Sequence, residues 1–355
     1  MVKFWKPRKK IKNHASNFSH LVDSASETPI TMTLVNYSKE DFLELENVSA
    51  SECQDFLDQE SLTWIHVQGQ PKPAELRELG SLFNLHPLAM EDIITEGERS
   101  KADIFDDQIM IILGMPTKQG HKIVSDQVTI FLGKNFLVSF HTGSKDPFRA
   151  VRRRLSHPQS TLRTSHLDYL LYVLLDVTVD HGFPILEEFA QEIEAVEQQL
   201  LGEQGVATFH SLYTIKRELL VLRLKLNPQR EAIGIVLRDD KFLLNKDTKI
   251  YLRDVYDHAI RLNEVLEIYR DMITNMLDVY LSLLNRLSYE SNEVQRKATV
   301  WAMLFAPLTF ITGVYGMNFV YMPELHLKYA YPTLLTFMGC IVVFLLRVLK
   351  RKKWL

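Results

Sequence analysis

Cysteine is scarce: Cys53 and Cys340 are the only two in 355 residues. Two distant thiols exclude a disulfide framework and a metal knuckle, so a reducing compartment is expected for the soluble part. Catalytic signatures are missing as well. The chain has no HExxH, Walker loop, GxSxG or CxxC, and no two of its 12 histidines stand three or four residues apart. Neither an enzyme nor an ATP-driven pump is expected. A net charge of −3 gives no basic excess for nucleic acid. Glycine and proline are absent between Ile235 and Ala306, and charge is absent from residues 298–315 and 330–346. Such uninterrupted stretches must be explained by long helices or by an apolar surrounding.

The two charge-free stretches are near the lower length for a membrane-spanning helix, and their flanks extend them. Arg296 and Lys297 precede the first. Arg347 and Lys350-Arg351-Lys352-Lys353 follow the second, while the intervening loop holds only Glu324, His326 and Lys328. Basic residues favour the cytoplasmic side, so two spans are expected with both outer ends inside and the loop outside. Trp301, Tyr315, Tyr321, Tyr329, Tyr331 and Trp354 occupy the ends of the stretches, as interfacial aromatics do. The basic N-terminus lacks the apolar core of a signal peptide. The expected location is a plasma (inner) membrane, with N- and C-termini cytoplasmic and membrane lipids as neighbours.

Ahead of the spans the signals are mixed. LTWIHVQG (62–69), QVTIFLG (127–133) and FLVSFH (136–141) read as strands, and 73–85 and 86–94 as helices. The fold class is therefore an α+β cytoplasmic domain, a long helical stalk and two C-terminal transmembrane helices. The divisions are 1–30, basic and poorly ordered; 31–165, the α/β domain; 166–245, a helical hairpin; 246–297, the stalk; 298–317, the first span; 318–329, the outer loop; 330–349, the second span; and 350–355, a basic tail. Helix is expected on both sides of a Gly182-Phe183-Pro184 break and again over 208–226. Glu187, Glu188, Glu192, Glu194 and Glu197 make the first arm acidic, either as a solvated face or as a rim that attracts cations. In the stalk, Leu262, Val265, Tyr269, Met272, Met276, Val279 and Leu283 recur at steps of three and four. A seam that long calls for copies of the chain packed around an axis.

Counting back from Gly316, the first span presents Gly313, Thr309, Ala306, Ala302, then Thr299 or Ala298, then Gln295 and Asn292 on one face. These are small or polar. They allow either close helix packing or a water-filled axial pore. Asn318 would stand at the outer mouth, where neutral carbonyl oxygens suit a hard cation that keeps its water shell. Gly316 permits an unusual turn at the helix end.

PLTF (307–310), GVYGMNF (313–319) and MPEL (322–325) resemble the CorA family of magnesium transporters, as do HPLAMEDII (86–94), DYLLYVLLD (168–176) and RDVYDH (253–258). The resemblance implies a funnel-shaped homopentamer with no permanently bound cofactor. Mg2+ would be both substrate and regulatory ligand, with Co2+ and Ni2+ as further passengers. Gly316, Met317 and Asn318 would form the selectivity filter, and Glu324 would raise the local cation concentration. It also implies regulatory carboxylates between neighbouring subunits: Asp92 and Asp254, with Glu91 and Asp176 beside them. On the residues alone, Glu91 and Asp92 could instead favour a helix N-terminus, and Asp254 could pair with Arg253 or Lys249. Other readings are a zinc transporter of the same fold, or a non-conducting, membrane-anchored sensor or scaffold.

Overall fold

The computed structural model describes residues 30–355, apart from 58–60, 96, 106, 121, 202–204, 240–242, 318, 320–321, 324–326, 353 and 355. The poorly ordered start expected for residues 1–30 falls almost wholly outside the described residues. Compact packing divides the chain into two units, Met1–Met276 and Leu277–Leu355.

The first unit is built on a seven-stranded sheet. Its strands are β1 (Thr31–Tyr37), β2 (Phe42–Glu46), β3 (Leu62–Gln68), β4 (Lys101–Ile104), β5 (Ile109–Gln119), β6 (Lys122–Leu132) and β7 (Phe136–His141), in the order β2-β1-β3-β7-β6-β5-β4. Every pairing is antiparallel except β3 with β7, where Trp64 lies opposite Leu137 and His66 opposite Ser139. Side chains alternate between the two faces of a strand. One face carries Met32, Leu34, Ile65, Val67, Met110, Phe131, Val138 and Phe140. It packs on α1 (Ala50–Cys53), α2 (Pro73–Leu82) and α3 (Pro87–Ile94). The other face carries Val35, Trp64, Ile111, Val128, Ile130 and Leu137. Towards it lie α4 (Arg149–Ser156), α5 (Thr161–Thr164), α6 (Leu167–Asp180), α7 (Gly182–Leu201) and α8 (Gly205–Arg238). With both faces covered, β5 reads as a nearly continuous apolar run.

Local chemistry places the breaks. α2 and α3 each open on proline, whose missing N–H is harmless in a first turn. Helix α6 stops at Asp180 and α7 starts at Gly182, so Pro184 falls in a first turn rather than in a break. Helix α8 runs past the expected 226 to Arg238, straight through Pro228. Proline there removes one hydrogen bond to the carbonyl of Leu224, whose side chain is 66% exposed, so water can reach that turn.

One helix, α9 (Lys246–Tyr315), runs unbroken for 70 residues, and α10 (Ala330–Arg351) follows. There is thus no element boundary at 297. The expected seam on α9 divides in two. Leu262 and Met276 are buried within the first unit, joined by Leu266 and Ile273, whereas Met272, Val279 and Leu283 remain exposed. Among the described residues, three helical stretches are long and apolar enough to cross a membrane: 167–200, and one each within α9 and α10. The first is 56% buried inside the protein. The other two are 6% buried.

Candidate metal centre and pore face

Helices α6 and α9 bring four acid–base side chains together. Asp176 and Asp180 stand one turn apart on α6, as Asp254 and His258 do on α9. His258 Nδ1 lies 2.8 Å from Asp180 Oδ1 and 3.9 Å from Asp176 Oδ1, and Nε2 lies 4.0 Å from Asp254 Oδ2. One ligand atom each of Asp176, Asp180 and His258 falls within 4.8 Å of the others, a spacing that could hold a metal ion. Burial pushes the Asp176 carboxyl above its ordinary value, and the charges of Asp180 and Asp254 add to the push, while His258 opposes it. Tyr172, one turn earlier, is pushed up to about 12 by burial and by Asp176. The cluster is thus partly desolvated and dominated by carboxylates, with only Arg154 and His258 opposing the push. A dication would relieve that repulsion.

Of the sequence candidates, Asp176 and Asp254 meet here. Glu91 and Asp92 do not: among the described residues no hydrogen bond or ion pair joins either to the cluster. They sit in the last turn of α3, not at an N-terminus, where the helix dipole disfavours negative charge. Lys101 offsets this at Asp92, with Nζ 2.6 Å from Oδ2. The expected pairing of Asp254 with Arg253 or Lys249 is replaced by His258, while Lys249 Nζ donates to the Asp239 carbonyl. Sequence reasoning passed over Asp180 and His258. Both stand four residues after a named candidate, which is the helical spacing that could have found them.

On α9 the expected small and polar face is solvent-accessible within the chain. Asn292, Gln295, Ala302, Ala306, Thr309 and Gly313 are exposed and Thr299 is half-buried. Thr299 and Thr309 donate their hydroxyl hydrogens to the carbonyls of Gln295 and Phe305, at 2.8 and 2.9 Å. Their donors are consumed by the helix, so what they offer outward is oxygen lone pairs. Pro307 lies inside α9 and leaves the Met303 carbonyl without its helical partner. At the helix end Gly316 bonds back to Thr312 at 2.9 Å. The unusual turn expected of Gly316 is not found, because it is absent from the positive-φ glycines. What it supplies is room: a Cβ would sit 3.0 Å from the Thr312 carbonyl oxygen. Met317 is 49% exposed. Asn318 and Glu324 lie outside the described residues.

A third constellation resembles a hydrolytic triad and is not one. Ser139 Oγ lies 2.9 Å from His66 Nδ1, and His66 Nε2 lies 3.5 Å from Asp146 Oδ1. Ser139 and His66 are 0% and 1% exposed, and Trp64 Nε1 donates to the same Oγ at 2.9 Å. No substrate can reach that hydroxyl.

The model of the family described as CorA-like Mg2+ transporter protein matches residues 59–351. The chain is 39% identical to the "Cobalt/magnesium transport protein CorA" of Thermotoga maritima over 324 residues, covering 91% of this chain and 92% of that one. It is 32% identical to the "Putative metal ion transporter YfjQ" of Bacillus subtilis, covering 82% of this chain and 89% of that one. Among solved structures, the complete CorA magnesium transporter from Methanocaldococcus jannaschii superposes with a TM-score of 0.69 at 22% identity, over 93% of this chain and all of that one. The full-length CmaX protein superposes at 0.71 and 18% identity, with the same coverage. The matched residues run from just before β3 to the last turn of α10, and the chain belongs to the CorA family of Mg2+ transporter proteins.

Proposed function

We propose that the chain forms a passive, membrane-potential-driven channel for magnesium uptake that also passes cobalt or nickel. Binding of Mg2+ to the cytoplasmic carboxylates would close it. The observation that carries this reading is the face of α9 from Asn292 to Gly313, which is small or oxygen-bearing and left uncovered by the chain itself. Outward lone pairs suit a hydrated dication better than they suit packing against lipid.

Two spans are favoured over three. The stretch 167–200 is the apolar wall of the first unit, while the windows in α9 and α10 have almost no protein cover. The exposed Met272, Val279 and Leu283 support self-association, and a homopentamer places the pore face on its axis. Gly316, Met317 and Asn318 would form the outer filter. The termini would be cytoplasmic in a plasma membrane. For each Mg2+ the driving force is about 4.6 kcal/mol per 100 mV. Closure would follow from electrostatics. Asp176, Asp180 and Asp254 repel one another without a cation, and a bound ion, drawn also to Asp92 and Glu91 of a neighbouring subunit, would pull the subunits together.

The test is uptake by the purified protein in liposomes under a negative-inside potential, comparing magnesium with zinc and following protons with a dye. Magnesium entry that grows with potential and moves no protons is expected. Zinc entry with protons would turn the assignment to a zinc transporter. Flux of neither ion would leave a sensor or scaffold. The pore face carries no histidine or cysteine, which zinc prefers, so the magnesium reading stands first.

A further inference from the structure

Helices α3, α6 and α9 repeat one arrangement: an apolar or aromatic side chain, then a carboxylate one turn later. On α3 it is Leu88, followed by Glu91 and Asp92. On α6 it is Tyr169 and Tyr172, followed by Asp176. On α9 it is Tyr251, followed by Asp254. Residues three and four apart share a helix face, so on each helix the two groups point the same way. The chain leaves both halves of the pattern open. Leu88 is 54% exposed, while Ala89 and Ile93 are buried in the core and fix the inner face of α3. His86 accepts the Leu88 N–H at 3.3 Å and stacks on Phe105 with ring centres 5.0 Å apart, so the turn that carries Leu88 is held. Across α6 and α9 the rings of Tyr169, Tyr172 and Tyr251 form a closed triangle, with centres 5.2, 5.3 and 5.2 Å apart. Tyr169 and Tyr172 are half-buried and Tyr251 is 45% exposed. An outward aliphatic side chain and an open aromatic platform are complementary halves of a protein–protein contact.

We infer that Leu88 of one subunit seats on the Tyr169, Tyr172 and Tyr251 platform of the next, forming an apolar latch that sets the register of the closing site. The inference rests on the proposed closure, in which α3 of one subunit meets the α6–α9 cluster of its neighbour.

The spacing matches on the two sides. Helices α6 and α9 run in the same direction here, because Tyr169 and Tyr172 meet Tyr251 and, further along both helices, Asp176 and Asp180 meet His258. With α3 alongside in that direction, Leu88 reaches the rings at one level. Glu91 and Asp92 then arrive about 5.4 Å further on, at the level of Asp176 and Asp254. A second copy is the occupant because the chain carries both halves, and a ring of copies joins unlike faces head to tail. Charge explains why an apolar contact is needed. Glu91, Asp92, Asp176 and Asp254 are all carboxylates, and of these α3 offsets only Asp92, through Lys101. Without a cation the two surfaces repel. Burial of Leu88 against the rings does not depend on an ion, so it keeps the surfaces in register until one arrives.

Crosslinking of the full-length protein in detergent tests the contact without flux. Cys53 is buried, and Cys340→Ala removes the exposed thiol, so introduced cysteines are the reactive ones. Leu88→Cys combined with Tyr251→Cys, treated with a short bismaleimide, should give dimers and higher ladders of the chain on a denaturing gel, and neither single variant should. Asp92→Cys combined with Asp254→Cys tests the underlying apposition by itself. Leu88→Cys combined with Tyr213→Cys, on the exposed side of α8, is the negative control. Crosslinks through the aspartate pair but not through Leu88 and Tyr251 would overturn the latch and leave the closing site standing. Crosslinks through neither pair would overturn both, and equal crosslinking to Tyr213 would overturn the docking position. In liposomes, Leu88→Ala should raise the internal Mg2+ needed for half-closure about threefold to tenfold, with maximal flux and the unfolding temperature level, and Leu88→Met should behave like the parent. An unmoved midpoint in Leu88→Ala would overturn its part in setting the register.

Discussion

Gly313 gives the sharpest test of the pore face, because the chain's own fold has no use for a glycine there. It lies inside α9, and a Cβ built on it meets nothing within 4 Å. Glycine in a helix interior is less favourable than alanine by about 0.8–1 kcal/mol, so Gly313→Ala should leave each chain as stable as before or slightly more so. If the face lines an axial path shared by several copies, every copy adds a methyl that projects by about the 1.5 Å of a carbon–carbon bond. The lumen narrows on all sides at once. Magnesium flux into liposomes should fall at least tenfold, while size-exclusion elution is unchanged and the thermal unfolding temperature is level or raised. Gly339 on α10 is the control: its Cβ also meets nothing within 4 Å, and Gly339→Ala should conduct like the parent. Parental flux through Gly313→Ala, or equal damage from Gly339→Ala, would refute the assignment of that face to the ion path.

Removing one carboxylate from the exposed cluster, in Asp254→Asn, should raise the cytoplasmic Mg2+ concentration for half-closure by about 5–30-fold, corresponding to about 1–2 kcal/mol for one charge-assisted ligand; flux at varied internal Mg2+ reads it, and an unmoved midpoint removes Asp254 from the gate. Lys118, 4% exposed, lies 2.9 Å from Glu192, 3.6 Å from Glu188 and 4.3 Å from the centre of the Phe189 ring. Lys118→Met should therefore loosen α7 from the sheet by about 1–2 kcal/mol, seen as faster amide exchange confined to α7 and the end of β5. Cys53 is fully buried against Met32 and its thiol is pushed up to about 11, roughly a hundredfold loss of thiolate at neutral pH. Mass spectrometry after N-ethylmaleimide treatment should find Cys53 unmodified until the protein is unfolded.

What could be read from the chain depended on whether one residue's neighbours in sequence are also its neighbours in space. Helices α2 and α3, strands β3, β6 and β7 and the unbroken α9 all follow from short-range pattern. Strand β5 does not show, because a continuous apolar run such as IMIILG looks the same in a strand and in a buried helix. The parallel pairing of β3 with β7 could not be read at all, since about 70 residues separate its partners. The acidic cluster of α6 and α9 divides the same way. Asp176 and Asp254 stood out as carboxylates in motifs, whereas the role of His258 depends on which turn of α9 faces α6. The reading of Glu91 and Asp92 as N-terminal residues failed for a local reason: the helix is only eight residues long, so its start and its last turn are nearly adjacent.

The β3–β7 pairing also has a consequence for biosynthesis. Strand β3 cannot find β7, its second neighbour, until His141 has been made, yet the first charge-free stretch begins only at residue 298. At about 5–20 residues per second the ribosome takes roughly 8–30 s to cover the interval. The sheet, its helices and the early turns of α9 are thus complete in sequence before the charge-free stretch at 298 emerges to engage the insertion machinery, and the apolar stretch 167–200 can be covered by the sheet in that interval. The order of the chain lets the soluble domain fold first, with its apolar faces covered before membrane insertion begins.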